Sequence, residues 1–63
     1  MPVITIDLGK LDSKEKKAEL VAALTAAASS TTNIPAEKFI VLVNELERDN
    51  IGVGGKLLSE VIK

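Results

Sequence analysis

Pro2 follows the initiator methionine directly, and Lys10, Lys38 and Arg48 are the candidate cations for holding a small acid against it. Methionine aminopeptidases generally remove Met1 when a small residue such as proline comes next. The product is a secondary amine on a stiff ring, which can take or give a proton. Burial or nearby cations that favour its neutral form would make it a general base. The plainer alternative is that Pro2 only starts an edge strand, where a missing N–H costs little. For the three cations the plainer alternative is that of solvated surface charges, since charged side chains are mostly exposed.

Composition limits what else the chain can do. Its 63 residues make one domain, residues 1–63, and at this size folding buries only about 60% of the unfolded surface. There is no cysteine to staple it, and no histidine. With no Cys/His cluster, a structural zinc site has no ligand set beyond carboxylates. Yet 46% of the residues are hydrophobic, in blocks that a two-layer monomer cannot cover, so self-association is expected. Net charge is −1 and Phe39 is the single aromatic residue. That argues against a nucleic-acid surface of basic patches and stacking rings. The apolar-rich segment from Ala18 to Ala28 is too short for a bilayer and is interrupted by Glu19 and Thr25. No signal peptide is visible, so the expected location is cytoplasmic.

Two strands and one helix must position the proline. Val3 to Leu8 puts Ile4, Ile6 and Leu8 on one face and Val3, Thr5 and Asp7 on the other. Asp12-Ser13-Lys14-Glu15 predicts a capping box, with Asp12 accepting from first-turn amides and Glu15 reaching back. A helix is expected from about Ser13, with Leu20, Val21, Leu24 and Ala27 or Ala28 at helical spacing. Alanine favours it, losing no side-chain entropy. Ser29 to Asn33 should end it, because short polar side chains compete for the backbone and Pro35 disfavours helix at residue 34. Pro35-Ala36-Glu37-Lys38 predicts one tight turn.

A second strand is expected from about Lys38 to Glu45, apolar on both faces: Phe39, Val41 and Val43 on one, Ile40 and Leu42 on the other. One helix covers one face, so the other wants a second subunit. Strand, helix, strand predicts parallel pairing with a right-handed crossover, which brings Pro2 and Lys38 to the same end of the sheet. Gly52-Val53-Gly54-Gly55 lacks the flanking pattern of a nucleotide loop and predicts a tight hairpin or bulge. Residues 56–63 carry Leu57, Leu58, Val61 and Ile62 at helical spacing, for a short helix or a tail on another subunit.

The order of proline, strand, capped helix, Ile34-Pro35 turn, strand and Gly52-Val53-Gly54-Gly55 resembles the 4-oxalocrotonate tautomerase family over essentially the whole chain. The resemblance implies an α/β (α+β) fold: a β-α-β protomer with parallel strands, one long helix and a short C-terminal hairpin. It also implies dimers joined three to a homohexamer. The family's amino-terminal proline shuttles protons in keto-enol isomerisation of unsaturated 2-oxo acids such as 2-hydroxymuconate or 4-oxalocrotonate, and Pro2 matches it. The best-known member has arginines where this chain has Asp12 and Ile40, and a phenylalanine where it has Ile51. Those arginines would hold the substrate carboxylate and polarise its 2-oxo group, roles that Asp12 and Ile40 cannot take over.

The expectation is therefore a homo-oligomeric tautomerase with Pro2 as base, an anionic small-molecule substrate, no metal and no organic cofactor. Lys38, Lys10 and Arg48 are the candidate substitutes for the missing arginines, with Ile40 and Ile51 lining the substrate. A lysine supplies a point charge and no bidentate fork. Lys38 leads because, two residues before Ile40, it would share that residue's strand face. Two other readings keep the chain's features: hydration or dehalogenation of a small unsaturated acid by the same proline, and a non-catalytic oligomeric anion-binding protein.

Overall fold

The computed structural model describes residues 1–61. Strand β1 covers Val3–Gly9, with Ile4, Ile6 and Leu8 half-buried and Val3, Thr5 and Asp7 exposed. Helix α1 covers Lys14–Thr32 and lays Leu20, Val21, Leu24 and Ala28 toward the sheet, all half-buried. Strand β2 covers Ile40–Leu46 and runs parallel to β1, with Val3 opposite Ile40 and Gly9 opposite Leu46. Val41 and Val43 lie on the half-buried side beneath the helix, whereas Ile40 and Leu42 are exposed. The chain ends in a hairpin, β3 (Gly52–Val53) and β4 (Lys56–Leu57), and a four-residue helix α2, Leu58–Val61. Gly54 and Gly55 have φ of 60° and 85°, the two positive angles of a type I′ turn, which is why glycine stands at both. Ile62 and Lys63, expected in a terminal helix or tail, lie outside the described residues.

Local boundaries differ from expectation in three places. The helix cap is Ser13, whose hydroxyl accepts from the Lys16 amide at 3.1 Å; Asp12 is not the cap and there is no box with Glu15. The helix runs through the polar stretch to Thr32, because the hydroxyls of Thr31 and Thr32 donate to the carbonyls of Ala27 and Ala28 instead of displacing the helix. Asn33 stops it in the left-handed conformation, φ 64°, its amide donating to the Ser29 carbonyl at 2.9 Å. Asn33→Ala should therefore destabilise the fold by about 1 kcal/mol while Asn33→Gly should not. Denaturant midpoints at one fixed protomer concentration check this.

The third difference is that β2 starts at Ile40, not Lys38. Ala36–Lys38 forms a 3-10 turn in which the Lys38 amide donates to Pro35 and the Phe39 amide to Ala36. Both amides are spent before the ladder begins.

The protomer has no closed core: none of the described residues is fully buried. Its accessible surface is 4844 Å², where a compact monomer of 6.7 kDa exposes about 3900 Å². Its radius of gyration is 14.8 Å against about 11 Å for a compact chain of this length. The sheet face opposite the helix carries Val3, Ile40 and Leu42 in the open.

Candidate active site

Parallel pairing places the start of both strands at one end. The Ile40 amide donates to the Pro2 carbonyl at 3.0 Å, the first rung of the ladder. That bond fixes the proline through its carbonyl and leaves its nitrogen to the bond with Met1, which is 88% exposed. Pro2 is half-buried, and Lys38 sits exposed in the turn that leads into Ile40. The structure thus brings Pro2, Ile40 and the backbone of Lys38 to one end. Strand alternation does not carry Lys38 onto the Ile40 face, since Lys38 precedes the strand.

Lys10, Arg48 and Ile51 lie at the other end. Lys10 follows β1 and Arg48 follows β2, and both border an open concavity of about 630 Å³ with Glu47, Asp49, Ile51 and Leu58. The Leu58 amide donates to the Ile51 carbonyl at 2.8 Å and closes the apolar wall. Lys10 pairs with Glu47 at 2.7 Å, and this hydrogen bond holds the Lys10 ammonium above its ordinary range. Arg48 forms no ion pair among the described residues. Six residue steps at about 3.3 Å each separate the two ends by about 20 Å. No side chain spans that distance, so Pro2 and Arg48 of one protomer cannot act on one small molecule.

Sequence reasoning missed the group that ties the β1–α1 connection and the helix to the end of β2. Glu45 accepts from the Leu11 amide at 2.8 Å and from the Lys17 ammonium at 2.6 Å. The Lys17 bond, then the Leu11 amide, hold its carboxyl below the ordinary range. The signal was present: Glu45 continues the helix-facing series Val41 and Val43, and a carboxylate there needs partners. A lowered folded pKa means that this stabilisation is complete above the ordinary glutamate range and lost as pH falls through the lowered value. Glu45→Gln should lower the melting temperature at pH 7, and the gap to wild type should shrink in acid; an equal gap at both would deny the charge its role. Asp7 and Asn44, paired across the exposed sheet face at 2.8 Å, were also not anticipated.

The architecture is a two-layer β-α-β unit with Pro2 at the head of a two-stranded parallel sheet and an apolar sheet face left open. The chain belongs to the tautomerase family: the family model described as "Tautomerase enzyme" matches residues 2–60. The 2-hydroxymuconate tautomerase of Bacillus subtilis (strain 168) is 34% identical over 61 residues, 97% of this chain and 98% of that protein. TomN, a 4-oxalocrotonate tautomerase homologue of the tomaymycin biosynthetic pathway, has a crystal structure similar at TM-score 0.87 and 37% identity, covering 94% of this chain and 91% of that one. A heterohexamer 4-oxalocrotonate tautomerase from Chloroflexus aurantiacus J-10-fl is similar at TM-score 0.86 and 31% identity, covering 97% and 98%.

Proposed function

We propose that the protein is a cytosolic, homo-oligomeric tautomerase that interconverts the enol and keto forms of a small unsaturated 2-oxo acid with Pro2 as general base. The observation that carries this reading is the Ile40–Pro2 rung, which holds the proline by its carbonyl and leaves the nitrogen unencumbered once Met1 is removed. Neutral Pro2 takes the enol O–H proton; the carbonyl forms as the C=C electrons move. The resulting ammonium returns a proton to a carbon of the conjugated system, so atoms and charge balance within one turnover. Oxyanion character developing on the substrate meets cations or backbone N–H groups at the site.

The two ends of the protomer, about 20 Å apart by strand rise, support a site built between subunits. A neighbour would supply Lys10, Arg48 or Ile51 to a proline that is not its own. Assembly is supported by the surface excess over a compact monomer, about 900 Å², close to the roughly 800 Å² that one partner gives to a standard interface. We read the assembly as a hexamer with a dimer as its minimal unit. Among the described residues no helix is long and apolar enough to cross a membrane.

The reading is tested by following ketonisation of a 2-oxo acid enol in the ultraviolet with Met1-free protein. Pro2→Ala should slow it by about 100-fold, the lower range for a positioned base. Wild-type rates in that variant would remove Pro2 from the chemistry.

A further inference from the structure

We propose that the Asp7–Asn44 pair selects a second copy of this chain, in one register, as the partner that covers the open sheet face. This rests on the self-association proposed above and goes beyond it, to what decides which chain is accepted.

The two residues are direct neighbours in the parallel register, and the Asn44 side-chain amide donates to Asp7 Oδ1 at 2.8 Å. They stand on the face away from the helix with Val3, Thr5, Ile40 and Leu42, of which Val3, Ile40 and Leu42 are exposed hydrophobics. A carboxylate accepts at both oxygens, and a primary amide has two N–H donors. Among the described residues Asp7 Oδ2 and the second Asn44 N–H form no further hydrogen bond or ion pair. Water meets them in the protomer. Once the face is covered, they need partners from whatever covers it, because a desolvated carboxylate or amide left unpaired is costly.

A surface of apolar side chains offers them none. A cation satisfies the carboxylate and leaves the amide N–H. A second copy turned about a two-fold axis brings Asn44 against Asp7 and Asp7 against Asn44, since an isologous contact pairs each residue with its complement on the other copy. Each free N–H then meets a free carboxylate oxygen, and the apolar side chains of both copies pack around them. A slip in register would set the carboxylate on Val3, Ile40 or Leu42 instead. The area agrees: the protomer's 4844 Å² exceeds that of a compact monomer by about as much as one partner gives to a standard interface.

The test is the exchange variant Asp7→Asn/Asn44→Asp. It keeps the pair within each protomer and across its own two-fold contact, but against wild type it sets carboxylate on carboxylate and amide on amide. The two chains have the same mass, so wild type is labelled with nitrogen-15; both are unfolded together, refolded and counted by native mass spectrometry. Assemblies with an odd number of labelled chains require a mixed contact. They should fall about 10-fold or more below their statistical share, because juxtaposed like charges reject a wrong partner, whereas labelled and unlabelled wild type should mix statistically. Statistical mixing of wild type with the exchange variant would overturn the proposal and leave the assembly itself standing. Wild type that sediments as a monomer would overturn both. If the exchange variant does not assemble, Asp7→Ala decides: stranding the Asn44 amide should raise the concentration at which the assembly dissociates by about 10-fold or more, and an unchanged value overturns the proposal.

Discussion

Protein that keeps Met1 is expected to turn over 2-oxo acid enols at least about 100-fold more slowly than the same chain beginning at Pro2, the loss that accompanies removal of a positioned base. With Met1 attached, the Pro2 nitrogen is an amide, its lone pair delocalised into the carbonyl and unable to take a proton. The fold should be indifferent to the change. The rung that anchors Pro2 uses its carbonyl, and Met1 is 88% exposed and packs little. Melting temperature and sedimentation should therefore match between the two forms while turnover does not. Full activity in protein whose Met1 is verified by intact mass would end the Pro2 mechanism.

Leu42→Asp is expected to break the assembly. Leu42 stands opposite Thr5 on the sheet face away from the helix, 49% exposed in the protomer and flanked on its strand by Ile40 and Asn44. If a second copy covers that face, an aspartate there loses its water without gaining a partner, at a cost of several kcal/mol per site. A protomer in which none of the described residues is fully buried has little stability of its own to absorb this. Sedimentation velocity at micromolar concentration should give an oligomer for wild type and a monomer or unfolded chain for the variant. A variant that sediments as wild type would put this face outside the interface.

Much of the fold was legible because β1 alternates with a period of two, β2 opens on a continuous apolar run and the helix between them is rich in alanine. Three features were not legible. Asp12 and Ser13 are both cap residues, and the spacing to Glu15 favoured Asp12. What fixes the entry of the chain is the tertiary hold of Glu45 on the Leu11 amide, across 34 residues. The start of β2 depended on how the turn after Pro35 spends its amides, and the Phe39 amide goes to Ala36. This moved Lys38 off the strand and removed the alternation argument for it. The pairing of Lys10 with Glu47 joins segments whose proximity follows only from the parallel register. Pro2 was legible by position alone, and the rung from Ile40 gives that position a physical anchor.

The most direct test of Pro2 as base is a nitrogen titration. Protein labelled with nitrogen-15 at proline, free of Met1, is followed by NMR across pH beside kcat/KM for a 2-oxo acid enol. The account predicts that kcat/KM falls as pH drops through the same midpoint at which the Pro2 nitrogen gains its proton. A Pro2 nitrogen that titrates away from that midpoint, or a Pro2→Ala protein with wild-type rates, would contradict it.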